Sequence, residues 1–382
     1  NPVELEFKGK NVLLVDDSAL MRRLLSAVLT QAGWTVAAAR NGREGVEQLL
    51  EWQPDVVTLD INMPEMDGLT ALSLMMQARP TPIVMVSSLT EKGAQATMEA
   101  LALGAVDFIA KPGGTISLSI DDIQALLLEK VRTASRIRLR PGRPAAAMPA
   151  PVQRAPRPAL ARPAPASPRT TTSAPASASP APLRGGMGRC PGLVLIGIST
   201  GGPRTLEDVL PQLPSDFPWP VLVAQHMPPN FTLAFAQRMD RMCALEVVEV
   251  GEPMPLEPGR IHIGRGGTDL VVVERLGRLV AQPRPESPGH PWHPSADVLV
   301  ESAMRVLPAS QLVGVLMTGM GFDGAQAMAE LKARGGRTIA EAESSCVVFG
   351  MPSELIQRGG ASVVLPSQDV ARQLRTWVQR LG

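Results

Sequence analysis

The chain contains no tyrosine, and aromatic residues make up only 3% of its 382 positions. Its cores must therefore rest on leucine, valine, alanine and methionine. Cysteine is almost as scarce. Cys190, Cys243 and Cys346 are far apart and fit neither a disulfide framework nor a zinc site. No apolar run is long enough to span a bilayer, and no signal peptide opens the chain. A net charge of +1 gives no case by itself for a polyanionic partner. These absences lead to the expectation of a reduced, soluble, cytoplasmic protein. The start at Asn1, without a methionine, suggests trimming. What is present is 45% apolar residues and enough length for two or three domains.

Charge is unevenly placed. Between Arg136 and Arg189 there are ten arginines and no acidic residue or lysine, which leaves the rest of the chain at −9. The stretch is dominated by Pro, Ala, Arg, Ser and Thr and has neither helical nor strand period. Such a composition cannot bury enough apolar surface to order itself. It reads as a solvated spacer. The competing reading is an electrostatic contact with an acidic protein, anionic lipid or nucleic acid. No aromatic residue is interleaved, which weakens the nucleic-acid case.

The N-terminal third alternates strands with helical stretches. Asn11–Val15 ends in Asp16-Asp17, and Val56–Leu59 ends in Asp60. Ile83–Val86 ends in Ser87-Ser88, and Asp107–Ala110 precedes Lys111. Alternation of this kind predicts a parallel doubly wound sheet, whose binding crevice lies at the carboxyl ends of its strands. Asp16, Asp17, Asp60, Ser87 and Lys111 all fall at such ends. Three clustered carboxylates are costly unless a cation neutralises them, and an oxygen-rich site suits Mg²⁺. A lysine and a hydroxyl nearby suit phosphoryl oxygens, so the chemistry suggested is an aspartate accepting a phosphoryl group. The plainer alternative is that Asp16 and Asp17 cap the following helix.

Val15-Asp16-Asp17-Ser18, Thr58 to Gly68, Met85 to Ser88 and Lys111-Pro112 together resemble a response-regulator receiver domain over about residues 8–130. The resemblance implies that Asp60 is phosphorylated. It implies Mg²⁺ held by Asp17, Asp60, Asp16 through water, and the Asn62 backbone carbonyl. Ser87 and Phe108 would form the switch pair, and Lys111 would pair with the phosphate.

The C-terminal half opens on the apolar run Leu193–Gly197, then Ser199 between glycines. Gly197-Ile198-Ser199-Thr200-Gly201 fits G-x-S-x-G, which places a serine on a tight turn between strand and helix. Backbone N–H groups at that helix start can face a developing oxyanion. The alternative is a glycine-rich turn that holds a phosphate or nothing. A strand over Trp219–Ala224 leads to His226, and Leu312–Leu316 leads to Asp323. Three strand ends thus carry a serine, a histidine and an aspartate. A serine hydroxyl needs a base to remove its proton, and a carboxylate fixes the tautomer of that base. The chain order Ser199, His226, Asp323 is not that of the α/β-hydrolases, which would instead use Asp240 or Asp269 with His290 or His293. Asp240 lies inside a helical pattern and both histidines in a proline-rich loop, so the strand-end set is preferred. His262 alternates within a strand and reads as structural. Loop and cap roles are the plain alternatives for His226 and Asp323.

Ile196 to Pro203, Gln225 to Pro228, Pro294 to Asp297 and Thr318 to Ala325 resemble the chemotaxis protein-glutamate methylesterase catalytic domain, the CheB family, over nearly all of residues 190–382. That resemblance implies Ser199 as nucleophile, His226 as base and acid, and Asp323 as the orienting carboxylate. Thr200 would assist, and the Met320 backbone N–H would be a candidate oxyanion donor. Trp292-His293 stands where His-Arg is expected in familiar members. The expectation is an α/β chain of two doubly wound, mostly parallel sheets: a receiver at 1–132, a flexible linker at 133–189 and a methylesterase domain at 190–382. It implies a phosphorylation-activated esterase and glutamine deamidase of a two-component chemosensory system. Receptors would be its substrates and a histidine kinase its phosphodonor. Mg²⁺ would serve the receiver alone, with no cofactor in the esterase site and no nucleic-acid partner. Membranes would be met only through the receptor. Rival readings are a pure signalling module and a regulator that acts on nucleic acid.

Overall fold

The computed structural model describes residues 10–111, 120–137, 139 and 191–379. The arginine-rich stretch expected to be a spacer lies, from residue 140 to 190, outside the described residues, and Cys190 with it.

The first unit runs β1 (Asn11–Val15), α1 (Ala19–Gln31), β2 (Thr35–Ala39), α2 (Gly42–Trp52), β3 (Val56–Asp60), α3 (Gly68–Ala78), β4 (Ile83–Ser87), α4 (Glu91–Leu103), β5 (Asp107–Ala110) and α5 (Ile120–Ala134). Its five strands are parallel in the order β2-β1-β3-β4-β5. β3, β4 and β5 are buried throughout, as the continuous apolar runs predict for a sheet covered on both faces. The switch in strand order falls between β1 and β3, so Asp16 and Asp60 flank it. Ser18, not Asp16 or Asp17, caps α1: its hydroxyl accepts from the Met21 N–H. The two aspartates are therefore free of the capping role set against them.

The second unit runs β6 (Leu193–Ile198), α6 (Gly202–Val209), β7 (Val221–Gln225), α7 (Phe231–Met242), β8 (Glu246–Val250), β9 (Met254–Pro255), β10 (Arg260–Gly264), β11 (Asp269–Arg275), β12 (Arg278–Arg284), α8 (Ala296–Val306), β13 (Leu312–Leu316), α9 (Ala325–Ala333), β14 (Arg337–Glu341), α10 (Met351–Gln357), β15 (Val363–Leu365) and α11 (Ser367–Gln379). Seven strands form a parallel sheet in the order β15-β14-β13-β6-β7-β10-β8. β11, β12 and β9 form a separate antiparallel sheet, with the hairpin turn at Leu276-Gly277 that the sequence indicates. The switch point of the large sheet lies between β6 and β13, the strands that precede Ser199 and Asp323.

The two units share an apolar core. α4 packs on α6 and α7, and one continuous cluster includes Met98 and Phe108 of the first unit with Phe231 and Phe235 of the second. With so few aromatic residues in the chain, a Phe108–Phe231 pair at this junction stands out: the ring centroids are 4.5 Å apart.

Candidate active site

Ser199 follows β6 directly. Its N–H donates to the Thr318 carbonyl at 2.9 Å, which ties the serine turn to the end of β13. Gly201 then takes φ +79° as the N-cap of α6, a left-handed conformation that favours glycine, and the chain turns at once into the helix. Thr318 is itself fixed. Its N–H donates to Glu341 at 2.8 Å, and its hydroxyl reaches the Thr200 carbonyl at 3.0 Å. Burial raises the Glu341 carboxyl above its usual range, although the Ser345 hydroxyl and the Thr318 N–H act against that.

His226 follows β7, and its N–H donates to the Ile198 carbonyl at 3.0 Å. Its Nε2 lies 2.7 Å from Asp323 Oδ2. Its Nδ1 is buried and has no hydrogen-bond partner among the described residues. Asp323 does not cap α9; Gly324 holds that position without a side-chain bond. The carboxylate instead sits at the start of α8. Oδ1 accepts from the Ser295 hydroxyl at 2.7 Å and the Asp297 N–H at 3.1 Å, and Oδ2 accepts from the Ala296 N–H at 2.6 Å. Burial would raise its pKa, but the His226 contact and these donors outweigh burial and hold it below the usual carboxylate range. Ser295, which the sequence motif contained without a visible role, is thus a partner of the Asp323 carboxylate.

Of the α/β-hydrolase alternatives, Asp269 and His293 do pair, but Asp269 is taken up in holding the loop before α8. Asp240 accepts from the Val247 N–H. Asp269 pairs with His293 at 3.0 Å and anchors the loop before α8 through the Ser287 and Ser295 N–H groups. His262 is fully buried, its Nδ1 is 3.4 Å from the Val221 carbonyl, and burial pushes its pKa down to about 4. A structural role fits it.

At the first sheet, carboxylate oxygens of Asp16, Asp17 and Asp60 lie within 4.8 Å of one another. Lys111 Nζ is 2.6 Å from Asp60 Oδ2 and 3.4 Å from Asp16 Oδ2. Burial raises the Asp60 carboxyl, with Lys111 opposing. Lys111 keeps its proton above its ordinary range: burial would lower its pKa, but the Asp60 and Asp16 carboxylates outweigh burial. The Asn62 N–H donates to Asp60 Oδ1 at 3.2 Å. Among the described residues, Asp16 Oδ2 is buried with no partner besides the Lys111 ammonium. Such an oxygen set fits a hard cation of the Mg²⁺ type. Ser87 is buried, and its hydroxyl donates to the Gly93 carbonyl of α4 at 3.1 Å.

The receiver reaches the candidate esterase site across the junction, through residues outside the aspartate cluster. Thr200 Oγ1 donates to Asp107 Oδ2 at 2.8 Å, and Lys130 of α5 holds Asp107 Oδ1 at 2.7 Å. The Thr133 hydroxyl of α5 rests on the Met320 sulfur. Asp107, Phe108 and Lys130 join Ser199, Thr200 and His226 around a cavity of about 10 Å³. That is room for about one water molecule. Asp107, Lys130 and Thr133 carried no motif that sequence reading could use.

Residues 194–374 match the CheB methylesterase family, and residues 12–119 match the response regulator receiver domain. A protein-glutamate methylesterase/protein-glutamine glutaminase 3 of Rhodospirillum rubrum is 52% identical, with 97% of this chain and 96% of that one covered. The chain belongs to the CheB methylesterase family. A second relative in the family, a protein-glutamate methylesterase/protein-glutamine glutaminase 2 of Rhodopseudomonas palustris, is 50% identical over 96% of this chain and 97% of its own. The crystal structure of the Thermotoga maritima CheB methylesterase catalytic domain is 35% identical, covers 50% of this chain and 98% of its own, and gives a TM-score of 0.47. No helix among the described residues is long and apolar enough to cross a membrane.

Proposed function

We propose that this chain is a phosphorylation-activated protein-glutamate methylesterase and protein-glutamine deamidase of a chemosensory pathway, with Ser199 as nucleophile. The observation that carries the reading is the His226–Asp323 pair beside Ser199 at adjoining strand ends of one sheet. The receiver is assigned to residues 1–134, since α5 runs two residues past the expected boundary at 132, the linker to 135–189 and the catalytic domain to 190–382.

Ser199 Oγ attacks the γ-carbonyl carbon of a glutamyl methyl ester, and its proton passes to His226 Nδ1. Asp323 keeps a proton on Nε2 and stabilises the imidazolium. Negative charge gathers on the carbonyl oxygen, where the Met320 backbone N–H is the candidate donor and the Thr200 hydroxyl assists. The intermediate collapses, the proton on Nδ1 moves to the methoxy oxygen, and methanol leaves. A water then gives its proton to Nδ1 and adds its oxygen to the acyl carbon. Glutamate is released and Ser199 recovers its proton. With glutamine the same route releases ammonia.

The receiver governs access. A cavity of about 10 Å³ cannot admit a glutamyl side chain, so the resting arrangement is closed to substrate. A histidine kinase is the proposed phosphodonor for Asp60. Asp16, Asp17, Asp60 and the Asn62 carbonyl would hold Mg²⁺, which when bound neutralises phosphoryl charge. A phosphoryl group on Asp60 draws on Lys111 and on the Ser87 hydroxyl now given to Gly93. That loosens α4 and the Phe108 contact with Phe231, and shifts the population toward an open arrangement. Methyl-accepting receptors are the proposed substrates, met in the cytoplasm.

The test is methanol release from methylated receptor membranes, with a small-molecule phosphodonor and Mg²⁺ present, by the full chain and by Ser199→Ala. Release that disappears in the variant supports the reading. Equal release by both, or none by the wild type from several receptors, overturns it.

A further inference from the structure

We propose that Trp292 is a positioning residue for His226, its indole face fixing the imidazole across its plane and stabilising the doubly protonated ring. The inference rests on the reading of His226 as the base of the esterase.

The two rings are parallel within 2°, with centroids 5.5 Å apart. Asp323 grips His226 at one edge only, through Nε2. A single hydrogen bond in the ring plane leaves the imidazole free to pivot about it, and the indole closes that motion from one face. Trp292 is held in turn. Phe322, the neighbour of Asp323, meets it edge-on at 5.1 Å and 80°. Gly321 has φ +87°, and a Cβ there would lie 2.8 Å from Trp292 Cζ2, so the absence of a side chain makes the space for the indole.

The loop that carries Trp292 is anchored by the fully buried Asp269. That carboxylate accepts from the Ser287 N–H at 2.8 Å and the Ser295 N–H at 3.0 Å, and pairs with His293 at 3.0 Å. Ser295 donates to Asp323 Oδ1. One anchored segment thus fixes both the carboxylate at the edge of His226 and the indole over its face.

The chemistry favours an aromatic residue here over any apolar cover. His226 carries positive charge in both halves of the reaction as it takes a proton from Ser199 or from water. The face of an indole attracts a cation through its quadrupole, more strongly than phenyl does and where an aliphatic side chain offers nothing. Attraction that grows as charge develops lowers the barrier without tightening substrate binding. It belongs in kcat, not KM.

The experiment is methanol release from methylated receptor membranes by the full chain with a small-molecule phosphodonor and Mg²⁺. Wild type, Trp292→Phe and Trp292→Leu are compared for kcat, KM and melting midpoint. Leucine keeps an apolar cover and removes the π face; phenylalanine keeps the face. The expected result is a loss of about ten-fold in kcat for Trp292→Leu, or about 1.4 kcal/mol. Its KM and melting midpoint should stay within about two-fold and a few degrees of wild type, and Trp292→Phe should stay within about three-fold in kcat. Wild-type kcat in Trp292→Leu, a loss confined to KM, or a Trp292→Phe variant as slow as Trp292→Leu would each overturn the proposal. If leucine lowers the melting midpoint, Trp292→Met is read by the same criteria. A wild type without methanol release overturns the esterase reading itself and is seen separately.

Discussion

The Thr200 hydroxyl, one residue from the candidate nucleophile, donates to the Asp107 carboxylate of the receiver at 2.8 Å. Ninety-three positions separate the two residues, and their contact joins the regulatory sheet to the catalytic one. The acceptor is a carboxylate, the same group that the proposed reaction produces. Lys130 balances its charge from the receiver side, so the closed state leaves no uncompensated anion against the site.

Removing that acceptor should raise the resting activity. In Asp107→Asn the side chain keeps its size, but the bond from Thr200 loses its charged acceptor and Lys130 loses its partner. Such a bond contributes about 1–2 kcal/mol. Methanol release without phosphodonor should rise by about five- to thirty-fold, while the rate with phosphodonor stays at the wild-type level. An unchanged resting rate would show that the contact does not hold the site closed.

Asp323 has two duties, and its substitution should separate them. Asp323→Asn no longer fixes the His226 tautomer, which in a triad costs about 10⁴ in kcat. The new amide also places an N–H₂ group among the Ser295, Ala296 and Asp297 donors at the start of α8. Unfolding in urea should show a loss of about 1–3 kcal/mol beside the kinetic loss. A variant as stable as wild type would mean that the α8 donors do not need the charge.

Much of this site was legible because its residues sit at strand ends. Asp16, Asp60, Ser199, His226 and Asp323 each follow a short run of branched apolar residues, a pattern that buried parallel strands impose on sequence. The strands that sequence reading passed over are less apolar. β2 is Thr-Val-Ala-Ala-Ala at a sheet edge, partly exposed, and alanine has little preference for strands. β15 has three residues, also at an edge. The contacts of Asp107 with Thr200, Phe108 with Phe231 and Trp292 with His226 were out of reach for another reason. They join elements distant in sequence, and no local period or turn signal records such a meeting. Ser295 lay inside the Pro294 to Asp297 motif, but nothing in the sequence marked it as a donor to Asp323.

His262 gives the fold a pH dependence whose sign is fixed. Burial lowers its pKa from 6.5 to about 4 in the folded protein. Above pH 6.5 the ring is neutral in both states and has no effect on stability. As pH falls from 6.5 toward 4 the unfolded chain takes up a proton that the folded chain refuses, so stability falls across that window. The loss attributable to this group reaches about 3 kcal/mol below pH 4. Urea midpoints measured at pH 7 and pH 4 should drop less in His262→Gln than in wild type. Equal drops would place the acid sensitivity elsewhere.

The central claim is that the receiver closes the esterase cleft and that a phosphoryl group on Asp60 opens it. The most direct measurement is the rate of methanol release from methylated receptor membranes, with and without a small-molecule phosphodonor and Mg²⁺, for the full chain and for Asp60→Asn. The account predicts a low rate that rises on addition of phosphodonor in the wild type and stays low in Asp60→Asn, whose Thr200–Asp107 contact is intact. A wild-type rate already maximal without phosphodonor, or stimulation that persists in Asp60→Asn, would contradict it.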